Sequence, residues 1–267
     1  MKWSYILFLP AAISVFWAFA VLFFKRRLTI AQTFLSQMLV LLGIAIACMA
    51  VYFRGHSGVL FVYDYLFECF SMFSIGMFYV GICALTEPTG VTVRQRSMML
   101  PPLLFVVGLT VGAFILGWRR YDSLCRNIAN GETGYVDGDV AYNFMLFWDH
   151  WLFPAMLLVF GSVLLIVASR KAWLYQKRFN SYYADNMRVS RIDSRIIVVL
   201  AWLFVPLGAL TLWAVDFRPH LYKYWLIVLA VLLSALQWFF GRFVFKLDHD
   251  ASYLSDYIRR KNGMEQL

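Results

Sequence analysis

Long apolar runs alternate with short polar breaks along the whole chain. The runs cover Ser4–Phe24, Thr29–Phe53, Val59–Leu85, Ser97–Trp118, Asn143–Ser169, Ile196–Val215 and Tyr224–Phe245. Each has the ~20 residues that a helix needs to cross ~30 Å of hydrocarbon. Backbone groups in lipid must be bonded within their own segment, so the runs predict helices. A transmembrane barrel would instead show alternating strands of about ten residues, and the pattern contains none. The expected fold is all-α: a polytopic, seven-helix transmembrane bundle over residues 1–246, followed by a short polar tail at 247–267.

The breaks set the orientation. Lys and Arg beside membrane spans are retained on the cytoplasmic side. Arg170–Arg195 carries seven Lys/Arg against two Asp and lies between two spans, which marks it as a basic cytoplasmic loop. The loops assigned inside, with the tail counted from Arg242, hold 17 of the 24 Lys/Arg, and those assigned outside hold 7. This bias predicts an N-terminus outside and a cytoplasmic C-terminus. The first span has Lys25–Arg27 behind it rather than ahead of it, so it reads as an uncleaved anchor and not a signal peptide. The longest outer segment, 119–142, is rich in Gly, Asn and Asp. It is too polar to insert and long enough to fold over the bundle as a lid.

Composition supports the membrane reading. The chain is 62% hydrophobic and 15% charged, with a mean hydropathy of +0.68, whereas soluble domains carry about 25% charged residues. The net charge of +9 does not imply nucleic acid, because the charges sit between apolar runs, as topology determinants do. The expected location is a bacterial inner membrane. The lipid bilayer is the first partner, and no direct nucleic acid binding by this chain is expected. The four cysteines show no zinc or disulfide spacing. Cys48, Cys69 and Cys83 fall in apolar runs as packing residues, and Cys125 lies in the polar outer segment without an obvious partner.

Ionisable residues inside spans carry the candidate chemistry. Asp64 and Glu68 sit four apart and share a helix face. Ser71 and Ser74 continue that face as a polar ribbon directed into the bundle. An acid at mid-depth costs ~2.5–3.5 kcal/mol, so it needs a partner or a water-filled cavity. One reading makes the pair the floor of an outward-facing ligand or proton site; the other makes it an interhelical hydrogen bond. A second constellation is Trp148–Asp149–His150–Trp151, with Pro154 removing the helical bond to the His150 carbonyl and kinking the span. Asp149 and His150 are therefore further ligand- or proton-sensing candidates, with headgroup hydrogen bonding as the alternative.

Further spacing carries packing information. Gln32, Thr33, Ser36 and Gln37 suggest a second-span face turned into the bundle. Trp118, Tyr142, Trp148, Trp151, Trp213 and Trp225 mark the outer interface. Gly108 and Gly112 form a GxxxG that lets helices approach closely. Packing within the bundle is favoured there over a homodimer contact. No catalytic set, cofactor motif or metal motif is present: there is no mid-span lysine for retinal, no bis-His haem pair, no HExxH, GxSxG, P-loop or GxGxxG.

Four stretches carry a family resemblance: MKWSYILFLPAAISVFWAFAVLFFKRR; FYVGICALTEP with the following MMLPPLLFVVGL; KRFNSYYADNMRVSRIDSRI; and LLSALQWFFGRFVFKLDHD. In these the chain resembles the membrane-embedded N-terminal half of the large AraC-type transcriptional regulators of Bacteroidetes. In that family a cytoplasmic helix-turn-helix domain follows the last span and reads DNA. Only about twenty residues follow the last span here, too few for two or more DNA-reading helices, so no DNA-binding domain is expected. The resemblance implies no particular ligand residues.

The expected function is a membrane-embedded sensory, signal-transducing module that takes a small-molecule or proton signal at the outer side. Its output would pass through a basic surface of Arg170, Lys171, Lys177, Arg178, Arg188 and Arg191 to a cytoplasmic protein partner. A solvated basic face is the plainer reading of those residues. A small proton-coupled transporter or channel, or a structural subunit of a membrane complex, are the competing classes.

Overall fold

A computed structural model describes residues 2–25, 28–52, 59–87, 91–129, 134–183, 198–203 and 222–247. A 3-10 turn at Lys2–Leu7 leads into α1 (Phe8–Phe24). Next come α2 (Ile30–Tyr52), α3 (Leu60–Thr86) and the single turn α4 (Val93–Arg96). The middle of the chain forms α5 (Leu100–Leu116), α6 (Trp118–Ala129) and α7 (Val140–Phe147). A π-helical turn, Trp148–Leu152, joins α7 to α8 (Phe153–Tyr183), and α9 covers Tyr222–Lys246. No strand occurs among the described residues.

Six of the described helices are long and apolar enough to cross a membrane, which makes the chain a multi-pass, all-α membrane bundle. They match six of the seven predicted runs. The other, Ile196–Val215, falls mostly outside the described residues; residues 198–203 are helical.

α3 occupies the centre. Of its most apolar 18-residue window 78% is buried, against 33–56% for the other five. It packs along α2 on one side and against α8 and α5 on others, while α1 lies over α2 and α9. A central helix can carry carboxyl and hydroxyl groups because protein rather than lipid surrounds it.

Turn chemistry organises one end of the bundle. Thr29 and Gln32 form a reciprocal N-terminal cap on α2, with Gln32 N donating to Thr29 Oγ1 at 3.1 Å and Thr29 N to Gln32 Oε1 at 3.0 Å. Thr92 and Gln95 repeat this arrangement at α4. Gln32 also donates through Nε2 to the Val244 carbonyl of α9 at 3.2 Å. The polar start of the second span is thus a cap plus an interhelical tie. Gln32 and Ser36 are buried as expected, and Gln37 is exposed.

Three expectations need correction. The basic stretch does not begin as a loop, because α8 runs through Arg170 to Tyr183. Those fourteen residues hold no Gly or Pro and several good helix formers, so the span propagates beyond its apolar part. The outer segment 119–142 is likewise structured, its first part being α6. Gly117, at φ +83°, adopts a positive-φ conformation that favours glycine, which ends α5 and lets α6 start in a new direction. Among the outer aromatics, Trp118 and Trp151 are exposed, whereas Tyr142 and Trp148 are packed inside. Trp213 and the side chain of Trp225 lie outside the described residues.

Gly108 and Gly112 explain why Trp148 is inside. A Cβ on Gly108 would come within 2.7 Å of Trp148 Cη2, and one on Gly112 within 2.6 Å of Met145 Sδ. The GxxxG face of α5 therefore receives α7 and the π-turn of the same chain.

Candidate functional site

Asp64 and Glu68 lie one turn apart on α3, both buried. Directly over them passes α6, an amphipathic helix. Tyr121, Leu124 and Cys125 are fully buried, while Arg119, Arg120 and Ser123 face outward. The Tyr121 hydroxyl donates to Asp64 Oδ2 at 2.7 Å, and the Cys125 thiol contacts the same oxygen at 3.7 Å. Burial pushes both the phenol and the thiol well above their ordinary pKa values, and the carboxyls of Asp64, Asp149 and Glu68 add to the shift. Both groups therefore hold their protons and act as donors toward Asp64.

The lid is pinned at several points. Asp122 Oδ1 accepts from the Phe61 amide at the start of α3 at 3.3 Å, and Tyr52 OH reaches the Cys125 carbonyl at 3.4 Å. Arg120 pairs with Asp139, whose carboxylate also caps α7 by accepting from Tyr142 N at 3.1 Å. Asn127 donates to Tyr142 OH at 3.2 Å. The described parts of the outer segment, α6 above all, thus cover the acidic end of α3.

The third wall is the π-turn. Phe153 N donates to the Trp148 carbonyl across five residues, so the distortion expected at Pro154 takes the form of a π-turn just before it. The extra residue turns Asp149 toward α3 and α6. One ligand atom each from Asp64, Cys125 and Asp149 lie within 4.8 Å of one another. Asp149 of the π-turn and Asp64 both act electrostatically on the Glu68 carboxyl. The Trp148 indole lies beside Glu68 without closing a hydrogen bond, and Glu68 Oε2 is buried with no hydrogen-bond partner.

The structure therefore brings Asp64, Glu68 and Asp149 together. His150 is half-buried, and its ring nitrogens do not join that cluster. Ser71 and Ser74 do not extend it either. Ser74 Oγ bonds the Ser71 carbonyl of its own helix at 2.8 Å, and both serines border an apolar cavity of about 110 Å³ walled by α2, α3, α8 and α9. Tyr121 and Cys125 were missed as site residues. Their spacing with Leu124 and Ile128 is i, i+3, i+4, i+7, between Gly117 and Gly131, which is an amphipathic-helix signal in a segment judged by its polarity.

At the opposite end of α3, Glu87 accepts from Lys171 of α8 and from Gln95 of α4. Burial raises the Glu87 carboxyl, but the bonds from Lys171 and Gln95 outweigh it and hold the group below its ordinary range. Arg170 and Lys177 are exposed beside this pair. The side chain of Arg178, and Arg188 and Arg191 entirely, lie outside the described residues.

Chemically, the covered end offers three carboxyl groups, a thiol and a phenol in a water-poor space, a set suited to taking up a proton or a cation. The free state of all four cysteines fits packing roles for Cys48, Cys69 and Cys83 and leaves the Cys125 thiol open for chemistry. Compared with known proteins, the chain matches no family model, no characterised protein and no solved structure.

Proposed function

We propose that the chain is a sensory, signal-transducing module of the bacterial inner membrane, resembling the N-terminal half of AraC-type regulators. It takes its signal at the acidic end and delivers it at the basic end. The carrying observation is that α3 meets the α8 segment at both ends, by the acid cluster at one and by an ion pair at the other. At one end Asp64 of α3 gathers with Cys125 of α6 and Asp149 of the π-turn that leads into α8; at the other, Glu87 holds Lys171. Asp64 and Glu87 are about 35 Å apart along the helix axis at 1.5 Å per residue. A proton or cation that binds one arrangement of the acid cluster more tightly shifts the population of that arrangement, and the helical extension of α8 reports it.

In this reading the chain crosses the membrane seven times, with its N-terminus outside and its C-terminus cytoplasmic. The described residues flanking 204–221 support the seventh crossing. Trp202 donates to Ser169 Oγ at 2.9 Å near the basic end, whereas Leu226 packs with Leu7 and Met49 at the other. The positive charge collected around α4 and the extension of α8 supports a cytoplasmic basic end.

The test uses spin labels at residues 96 and 177, both exposed at the basic end, in the full chain in lipid nanodiscs. Asp64→Asn or Glu68→Gln should alter the distance distribution between the labels, with correct insertion checked separately. An unchanged distribution in both variants removes the acid cluster from the signal path. The three clustered carboxyls also suit a proton-coupled carrier, so uptake into proteoliposomes that is lost on Glu68→Gln would favour transport instead.

A further inference from the structure

We infer that the covered acidic end is a binding site for a borderline divalent transition-metal ion of the zinc class, held by Asp64, Cys125, Asp149 and Glu68. The inference rests on the reading of this end as the sensing site and names its signal. Asp64, Cys125 and Asp149 come from α3, α6 and the π-turn, and their donor atoms gather within 4.8 Å of one another. In a tetrahedral zinc site with Zn–S ~2.3 Å and Zn–O ~2.0 Å, sulfur and oxygen ligands are separated by about 3.5 Å. The Asp64 Oδ2 to Cys125 Sγ distance is 3.7 Å, so that edge of the tetrahedron is nearly formed, and Asp149 would move in to complete the face.

Glu68 independently points to an occupant. It is 2% exposed, its Oε2 has no hydrogen-bond partner, and its nearest charged neighbours are the cluster's two aspartates. Buried polar atoms are bonded as a rule, so an unpartnered carboxyl oxygen beside this group can serve as the fourth ligand. The donor set decides the ion. Calcium takes six to eight oxygens, and magnesium keeps its waters in an octahedron. One thiolate with three carboxylates suits a four-coordinate ion that accepts sulfur. On binding, the Cys125 S–H bond breaks, a sulfur–metal bond forms and the proton leaves to solvent; the ion stays divalent and nothing is oxidised or reduced. The Tyr121 hydroxyl keeps its bond to Asp64 and orients that ligand from behind.

Because the ligands come from α3, α6 and the π-turn, the ion would draw the start of α8 onto α3 and lock the cover in place. Sequence spacing does not show the set, since its members span residues 64 to 149.

The experiment titrates the purified full-length chain in nanodiscs with Co²⁺. The expected result is one ion per chain with a thiolate-to-cobalt charge-transfer absorption. Zn²⁺ should displace it and excess Mg²⁺ or Ca²⁺ should not. Cys125→Ser should abolish the absorption, and Asp149→Asn and Glu68→Gln should each weaken binding tenfold or more in protein that still inserts. Absence of the absorption in wild type, its persistence in Cys125→Ser, or undiminished affinity in Asp149→Asn would overturn the site. The two proposals separate cleanly. Cobalt binding as expected with no movement of the labels at 96 and 177 would leave the metal site and sink the sensing role. Label movement that is lost in Asp64→Asn or Glu68→Gln, without metal binding, would do the reverse.

Discussion

Tyr121 and Asp64 are 57 positions apart in the chain and 2.7 Å apart in space. Asp64 accepts an interhelical hydrogen bond, whereas Glu68 Oε2 is buried without a hydrogen-bond partner. Removing the phenol strips a buried carboxyl of its best donor. Tyr121→Phe should therefore lower stability by about 1–3 kcal/mol, read as a reduced midpoint in detergent unfolding. At the other end, Glu87 is held below its ordinary range. A group with a depressed folded pKa contributes stability that is present above the unfolded value and lost as pH falls through the folded one. The α3–α8 tie should thus hold at neutral pH and loosen on acidification, seen as increased separation of labels at 96 and 177. Glu87→Gln should remove that pH dependence. The carboxylates themselves were legible because acids are rare in apolar runs, but their partners were not, because Tyr and Cys are ordinary in any segment.

Among the elements, α5 and the α7–α8 join show how small residues admit large ones. Trp148 is a rigid ring against Gly108, and Met145 ends in a flexible thioether against Gly112. Gly108→Ala must displace the indole and should cost about 1–3 kcal/mol. Gly112→Ala meets a chain end that can turn aside and should cost less. Comparing the unfolding midpoints of the two variants checks the order. The GxxxG was visible by spacing, while its choice of an internal partner depended on where α7 lands. The π-turn was half visible: Pro154 announced a lost bond, but the direction of the distortion came from packing against α3 and α6. The lid helix was hidden for a different reason. Segment 119–142 was weighed as a whole by its Gly, Asn and Asp, and the amphipathic period inside its first half was diluted.

For the whole molecule, the testable quantity is topology. A phosphatase reporter fused after residue 138 should be active, and one fused after residue 177 should be silent. Probes at 190 and 220 should report opposite faces if Ile196–Val215 completes a seventh crossing. By itself, the sequence determined that this is a multi-pass helical membrane protein, where six of its crossings run, and that Asp64 and Glu68 face inward. Those properties are local, since hydropathy over about twenty residues and a four-residue spacing need no knowledge of neighbours. Tertiary structure alone decided that Tyr121, Cys125 and Asp149 meet those acids, that Trp148 fills a glycine notch, and that Glu87 reaches Lys171. Each of these contacts joins separate helices. The register and rotation of one helix against another are set by the summed fit of side chains from both, which no single segment contains.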